Sequence, residues 1–466
     1  MNDDKKERLQ VIIRNLNDIV GWVNGKAEAK EVSSVEVAGV STDTRTIQKG
    51  NLYVPLVGEN FNGHDFVEVA ISNGASGTLW QKNQPNPPTD VPLIYVEDTL
   101  LALQSLAKNY LASLSTKVIG ITGSNGKTTT KDMVTSVLAT TYKVQKTEGN
   151  YNNHIGLPLT ILRLEEDTEI AVLEMGMSGR GEIELLSTIA TPDAAIITNI
   201  GESHLQDLGS REAISEAKFE ITAGLQENGT LVIHGDEPLL TEKVTNSLFT
   251  IKTFGSSRSN DYYPVQIEQK SNGTYFTMNE EIETNFFIPV LGKHNINNAL
   301  SAIAIAVQFD VPIPSIKKGL EMIKLTGMRT ELLQGKDGVA VINDAYNASP
   351  TSMRAAIELL QDLKNYKKKI VVLGDMLELG DNEETFHYEV GKGININEID
   401  YVITFGQLGR KIAEGAKENF SGNNVFAYDD KQELIAKLVD VVAAGDIVLV
   451  KGSRGMKLEE VVHALI

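Results

Sequence analysis

The segment ITGSNGKTTTK, Ile121–Lys131, has the residue types of a phosphate cradle. Glycines let backbone N–H groups close around an anion, a lysine adds a point charge, and the threonine after it can meet a magnesium ion. A strict phosphate loop reads G-x-x-x-x-G-K-[ST], and counting back from Gly126, Lys127 and Thr128 puts Ile121 where the first glycine belongs. Gly123 must therefore supply the tight bend. Ser124, Asn125 and Thr129 fill the rest of the candidate nucleotide contact. The apolar run KVIGIT leads in and TTTKDMVTSVLATTY follows with a helical pattern, which sets the loop at a helix N-terminus whose free N–H groups and dipole favour an anion. A glycine turn with a chance lysine is the competing reading.

Other residues could serve the same chemistry. A phosphate loop usually needs an acid at the end of a neighbouring strand to organise magnesium, and IAVLEMG offers Glu174, which equally fits a solvated strand end. His204 in TNIGESH follows another apolar run, so its loop should share a sheet edge with Gly126 and Glu174, where open α/β sheets bind ligands. A surface histidine is the plainer reading. Lys218 in SREAISEAKFEITAGL looks like a solvated helix lysine, but a neutral, desolvated lysine can add carbon dioxide and become a carbamate able to ligate magnesium.

These residues need rigid elements to hold them. From Lys117, short wholly apolar runs alternate with helical patterns, the signature of a parallel sheet covered on both faces. A β-rich patch around TYFTMNEEIETNFFIPV precedes the long apolar helix in LGKHNINNALSAIAIAVQF. After LTGMRTELL the alternation restarts with GVAVINDAY, SPTSMRAAIELLQDL, KKIVVLGDM, YVITFG, KQELIAKLVDVV and DIVLVKGSRG, a second α/β unit of doubly wound pattern. Before Leu114 the texture is mixed, with an amphipathic first helix, short strands, and the proline-rich QKNQPNPPTDVP as a surface loop. The fold class is α/β in three domains: a mixed α/β N-terminal domain over residues 1–114, a central P-loop parallel-sheet domain over 115–326, and a C-terminal Rossmann-like domain over 327–466.

Composition narrows the function. The 466 residues carry 43 Lys and Arg against 62 Asp and Glu, a net charge of -19 that opposes nonspecific binding to nucleic acid or anionic membrane. Phosphate must then be bound locally. No run of 18 apolar residues spans a membrane, the N-terminus lacks a signal-peptide pattern, and the absence of cysteine removes disulfides, thiolate metal sites and thiol catalysis. A cytoplasmic protein, acting as a monomer, is the expectation.

In order along the chain, TGSNGKTTTK, GNYNNHIGLP, LEMG, TNIGESH, EAKFEI, GKHNINNA, GMRTEL and DAYNASP form a set that resembles the Mur ligase family. VSTDTRTIQKGNLYVPLVGENFNGHDF, EMG, DAYNASP and LGDMLELG are most similar to the branch that adds D-alanyl-D-alanine, and the D-N-P-R signature of the diamino-acid-adding branch is absent. The resemblance implies an ATP-dependent amide ligase that joins D-alanyl-D-alanine to a UDP-N-acetylmuramoyl-tripeptide through an acyl phosphate. It implies that Lys127 and Thr128 bind the ATP phosphates and a first magnesium ion with Glu174, and that His204 and a carbamoylated Lys218 hold a second. Asn298 would meet the adenine edge with Asn295 as a weaker neighbour, although either fits a structural amide. Arg329 would reach the γ-phosphate and Asp344 a ribose hydroxyl; a linker arginine and a turn-capping aspartate are the alternatives. Ser41, Asp43, Thr44 and Arg45 resemble uridine-nucleotide contacts, and Asn153 a contact to the substrate's sugar or diphosphate. Closure of the third domain would exclude water from the acyl phosphate, with hinges near Ala112–Thr116 and Leu325–Arg329. Another Mur-type or folylpolyglutamate-like ligase, a regulatory ATPase and a noncatalytic binding protein remain the competing functions.

Overall fold

A computed structural model describes residues 12–27, 35–245, 248–270, 272–279, 284–420 and 423–466. The central sheet has six parallel strands in the order Thr250–Phe254, Thr230–His234, Ala194–Ile197, Lys117–Thr122, Ile170–Glu174 and Val144–Lys146. The three middle strands are almost wholly buried, as their unbroken apolar runs require. Parallel strands need crossovers, and the five here carry the helices Lys127–Leu138, Gly156–Ile161, Glu182–Ala190, Arg211–Phe219 and Pro238–Thr241. The helix His294–Gln308 packs along Lys127–Leu138, burying Ile296, Ala299, Leu300 and Ile303 in a core shared with Ile119, Ile121 and Val134. The β-rich patch is a three-stranded antiparallel sheet of Pro264–Lys270, Gly273–Met278 and Asn285–Ile288.

The C-terminal sheet also has six strands, ordered Glu331–Gln334, Ala340–Asp344, Ile447–Lys451, Lys369–Gly374, Tyr401–Phe405 and Val425–Tyr428. The first runs antiparallel and the rest parallel. The N-terminal sheet, ordered Lys26–Ala27, Leu93–Val96, Gly77–Gln81, Leu52–Tyr53 and Val40–Ser41, is parallel except for its first pair. The proline-rich stretch is a loop between two of its strands. Of the expected N-terminal helix the described part is Leu16–Trp22, behind a short strand Ile13–Asn15, while residues 1–11 lie outside the described residues. Among the described residues no helix is long and apolar enough to cross a membrane.

Candidate active site

Ile121 is fully buried inside the strand Lys117–Thr122, paired with Glu174 on one side and Ile196 on the other. It belongs to the sheet, so the bend falls two residues later. Gly123 has φ +144°, and a Cβ there would lie 1.9 Å from Thr198 Oγ1. Gly126 has φ +81° and begins the helix, with room for a Cβ denied by Asn298 Oδ1 at 2.6 Å. Both positions need glycine. The loop is tied to the neighbouring strand end: Ser124 N–H donates to Asn199 O, Asn125 N–H to Asn199 Oδ1, and Thr198 Oγ1 to Asn125 O.

The C-terminal ends of three parallel strands thus meet the N-terminus of Lys127–Leu138 in a cavity of about 400 Å³. Lys127 Nζ donates to Gly123 O at 2.8 Å. Burial holds its ammonium below the usual lysine range, with Glu174 opposing the shift and Arg329 adding to it. Thr128 Oγ1 donates to Glu174 Oε2 at 3.0 Å, and Asn152 Nδ2 donates to Glu174 Oε1 at 3.0 Å, so this buried carboxylate is held from both sides.

The opposite wall comes from beyond residue 325. Arg329 Nη2 donates to Thr128 Oγ1 at 3.2 Å, and its guanidinium carbon lies 4.0 Å from the centroid of the Tyr346 ring. Asp344 Oδ2 accepts from Lys451 Nζ at 2.6 Å and Asp344 Oδ1 from Thr330 N–H at 3.0 Å. Glu202, after the strand Ala194–Ile197, accepts from Thr351 N–H and Oγ1 at the start of the helix Pro350–Asp362. Ser349 Oγ donates to Asn125 Oδ1 at 3.3 Å. The two sheets therefore face each other across the phosphate loop.

His204 lines the cavity in a left-handed conformation, φ +63°. Burial, then Lys218 and Lys127, push its pKa down to about 4, so the ring is neutral. Its Nδ1 lies 2.8 Å from Glu378 Oε2 without hydrogen-bond alignment, and a neutral ring makes no ion pair there. Lys218 is fully buried in Arg211–Phe219 and does not itself line the cavity, but its charge acts on His204, which does. Burial, then Lys127, hold its amine well below the lysine range against the pull of Glu220 and Glu182.

Asn298 Oδ1 accepts from Thr130 Oγ1, and its Nδ2 donates to Asn295 Oδ1, while Asn295 Nδ2 donates to Leu291 O. Both amides line the cavity, and Asn298 keeps one N–H and one oxygen lone pair beyond these bonds. Ser41, Asp43, Thr44 and Arg45 lie outside this cavity: Ser41 Oγ accepts from Asp43 N–H, and Arg45 pairs with Asp43 while its side chain is exposed. Asn153 lines the cavity but its Oδ1 caps the helix at Gly156. Thr129 lines it too.

Sequence reasoning passed over Asn152, Asn199, Glu202, Tyr346 and Lys451. Lys451 closes an apolar strand as Glu174 does, and that signal could have found it.

The donor chemistry fits magnesium. Of four buried polar atoms left without a partner around this cavity, Ser124 Oγ and His204 Nδ1 can offer a lone pair to a cation, whereas Asn125 Nδ2 and Arg329 Nε are N–H donors that suit phosphate oxygens. Thr128 and Glu174 supply hard oxygens, and the neutral His204 keeps a lone pair free. Among the described residues no cluster of three or more His, Cys, Asp or Glu forms a ready cage. That suits an ion that keeps waters and takes the rest of its oxygens from phosphate.

Comparison with known proteins gives the family. Residues 36–111 match the Mur ligase family catalytic domain, 121–306 the Mur ligase middle domain, and 328–454 the Mur ligase glutamate ligase domain. The chain is 53% identical over 456 residues to the UDP-N-acetylmuramoyl-tripeptide–D-alanyl-D-alanine ligase of Bacillus subtilis, covering 98% of this chain and 99% of that one. It is 34% identical to the Escherichia coli ligase of the same name, covering 98% of both. Among solved structures, MurF from Acinetobacter baumannii superposes with a TM-score of 0.90 at 29% identity, covering 97% of this chain and 99% of that one. MurF ligase from Thermotoga maritima, in complex with ADP, gives 0.81 at 30% identity, covering 91% and 96%.

Proposed function

The chain belongs to the Mur ligase family, and from that premise we propose that it uses ATP to join the amine of D-alanyl-D-alanine to the terminal carboxylate of UDP-N-acetylmuramoyl-tripeptide. The products are UDP-N-acetylmuramoyl-pentapeptide, ADP and phosphate, a step of peptidoglycan precursor synthesis. The observation that carries this reading is the meeting of Lys127, the Thr128–Glu174 pair and Arg329 at one cavity from two facing sheets.

The terminal carboxylate of the tripeptide takes the γ-phosphoryl group, and the resulting acyl phosphate is attacked by the dipeptide amine. The tetrahedral intermediate expels phosphate as the amide forms. Catalysis of the first step is positioning and charge neutralisation. Lys127 answers the phosphates from the loop side and Arg329 from the opposite wall, in a buried site where each charge counts for more than in water. The incoming polyanion favours the charged form of Lys127, against the burial that disfavours it. The chemistry a bound magnesium ion would supply here is neutralisation of phosphate charge. Thr128 and Glu174 would hold one ion, and His204 with Lys218 as its carbamate a second. Asp344, fixed by Lys451, takes a ribose hydroxyl. Glu202 and Arg329 draw the facing walls together, which shields the acyl phosphate from water.

Residues 1–114 bind the uridine nucleotide through Ser41, Asp43, Thr44 and Arg45, residues 115–326 carry ATP, and residues 327–466 receive the dipeptide. Asn153 meets the sugar or diphosphate. A cytoplasmic monomer is our reading. The test is a matrix of UDP-tripeptides ending in lysine or diaminopimelate against D-alanyl-D-alanine and single amino acids, read by phosphate release and product mass. Stoichiometric phosphate with pentapeptide only for the dipeptide supports the assignment; phosphate release without an acyl acceptor, or product from a different amine, overturns it.

A further inference from the structure

The linker that carries Arg329 is docked on the phosphate-loop helix at two points. Arg329 Nη2 reaches Thr128 Oγ1, and Thr326 N–H donates to Asp132 Oδ2 at 2.7 Å. Thr128 and Asp132 are four residues apart on Lys127–Leu138 and so share one face of it. The linker therefore lies along the helix, pinned one turn away from the point where the arginine must arrive.

The backbone between the pins is held in costly conformations. Met328 and Thr330, on either side of Arg329, have φ of +62° and +54°, a region that β-branched threonine strongly disfavours. Alternate amides are each satisfied by a carboxylate: Thr326 by Asp132, Met328 by Glu331, Thr330 by Asp344. Strained backbone persists where its surroundings over-determine it. Glu331 and Asp344 belong to the C-terminal unit and travel with the linker. Asp132 alone of the three joins it to the helix that holds the phosphate loop.

Asp132 is itself fixed. It is 2% exposed, and its Oδ1 takes Lys146 Nζ at 2.7 Å with Lys131 Nζ at 3.7 Å, which turns Oδ2 toward the linker. A carboxylate present only to neutralise two lysines has no need of the linker amide.

We propose that Asp132 is a positioning residue for Arg329, setting the linker so that the guanidinium returns to the same place beside Thr128 each time the walls close. This rests on the reading of Arg329 as a phosphate-neutralising group. Asp132→Asn keeps the side-chain volume, but with its oxygen kept on Lys146 it presents an N–H₂ to the Thr326 N–H. Thr326→Pro deletes the donor and leaves Asp132 and its lysines alone.

The experiment compares steady-state phosphate release, with both cosubstrates, in the parent, D132N, T326P, R329A and the D132N/R329A double variant. Misplacing a reacting group by an ångström costs up to about a hundredfold, so D132N and T326P should each lower kcat by at least about tenfold. The KM for the dipeptide should stay within about twofold, because no contact to that substrate is removed. In the R329A background D132N should cost nothing further. The same factor in both backgrounds, or parental turnover in D132N and T326P, overturns the proposal. If D132N does not fold, T326P with its own R329A double variant decides the matter. Parental turnover in R329A alone would instead remove the underlying reading of the arginine, and the positioning role with it.

Discussion

Gly123→Ala is the sharpest probe of how this phosphate loop works without a glycine at Ile121. The new Cβ would lie 1.9 Å from Thr198 Oγ1 and 3.1 Å from both Cβ and N of Thr198, and φ is +144°. The threonine hydroxyl cannot swing aside freely, because it donates to Asn125 O at 2.6 Å and so holds the loop. Backbone strain contributes about 1–3 kcal/mol, overpacking about 1–3, and the lost hydrogen bond about 1. The total, about 3–7 kcal/mol, is a large share of the roughly 5–15 kcal/mol that holds a domain folded. Thermal unfolding should shift down by many degrees, and ATP binding by calorimetry should be lost or greatly weakened. Thr198→Ala in the same chain removes the 1.9 Å contact but not those to Cβ and N, so recovery should be partial. Ile121→Gly, which restores the missing motif residue, should also harm: the side chain is fully buried, and its loss costs about 2–5 kcal/mol with about 0.5–1 more for glycine in a strand. A Gly123→Ala protein with parental melting and ATP affinity would refute the geometry.

The other outcomes concern protons and charge. His64, His204, His234 and His387 are held below the ordinary histidine range by burial, His204 at about 4. The unfolded chain binds these protons near pH 6.5, the folded one only at lower pH, so their contribution is intact above about pH 6.5 and is lost as pH falls toward about 4. Melting temperature should therefore drop on acidification through that window with proton uptake on unfolding, and a flat profile there would contradict the burial reading. Lys127→Ala should lower turnover by at least about a hundredfold, since it removes a buried charge from the phosphate side; near-parental phosphate release would refute the role. Lys218→Ala should be nearly inactive and partly rescued by short-chain carboxylic acids that stand in for a carbamate. Full activity without rescue would remove the carbamate assignment.

What the sequence reveals depends on whether a residue's partner is local. The strands Lys117–Thr122, Ile170–Glu174 and Ala194–Ile197 are legible because burial on both faces forces continuous apolar runs. The edge strands Val144–Lys146 and Thr250–Phe254 are half-exposed and carry polar residues, so nothing in their pattern separates them from loops. The same distinction governs the site. Gly126, Lys127 and Thr128 announce themselves because a phosphate cradle is built from consecutive backbone. Asn152 does not, since its value lies in meeting Glu174 across 22 residues, nor does Glu202, whose partner Thr351 is 149 residues away. Asn298 shows both roles that the sequence left open at once, engaged with Thr130 and Asn295 while it lines the cavity. Ile121 joins the two cases. Its spacing marks a departure from the strict motif, but only its pairing with Glu174 and Ile196 shows why. With that residue inside the sheet, the cradle must turn between Thr122 and Lys127. Gly123 and Gly126, the two glycines in that span, are the ones whose Cβ the neighbouring strand end and helix exclude.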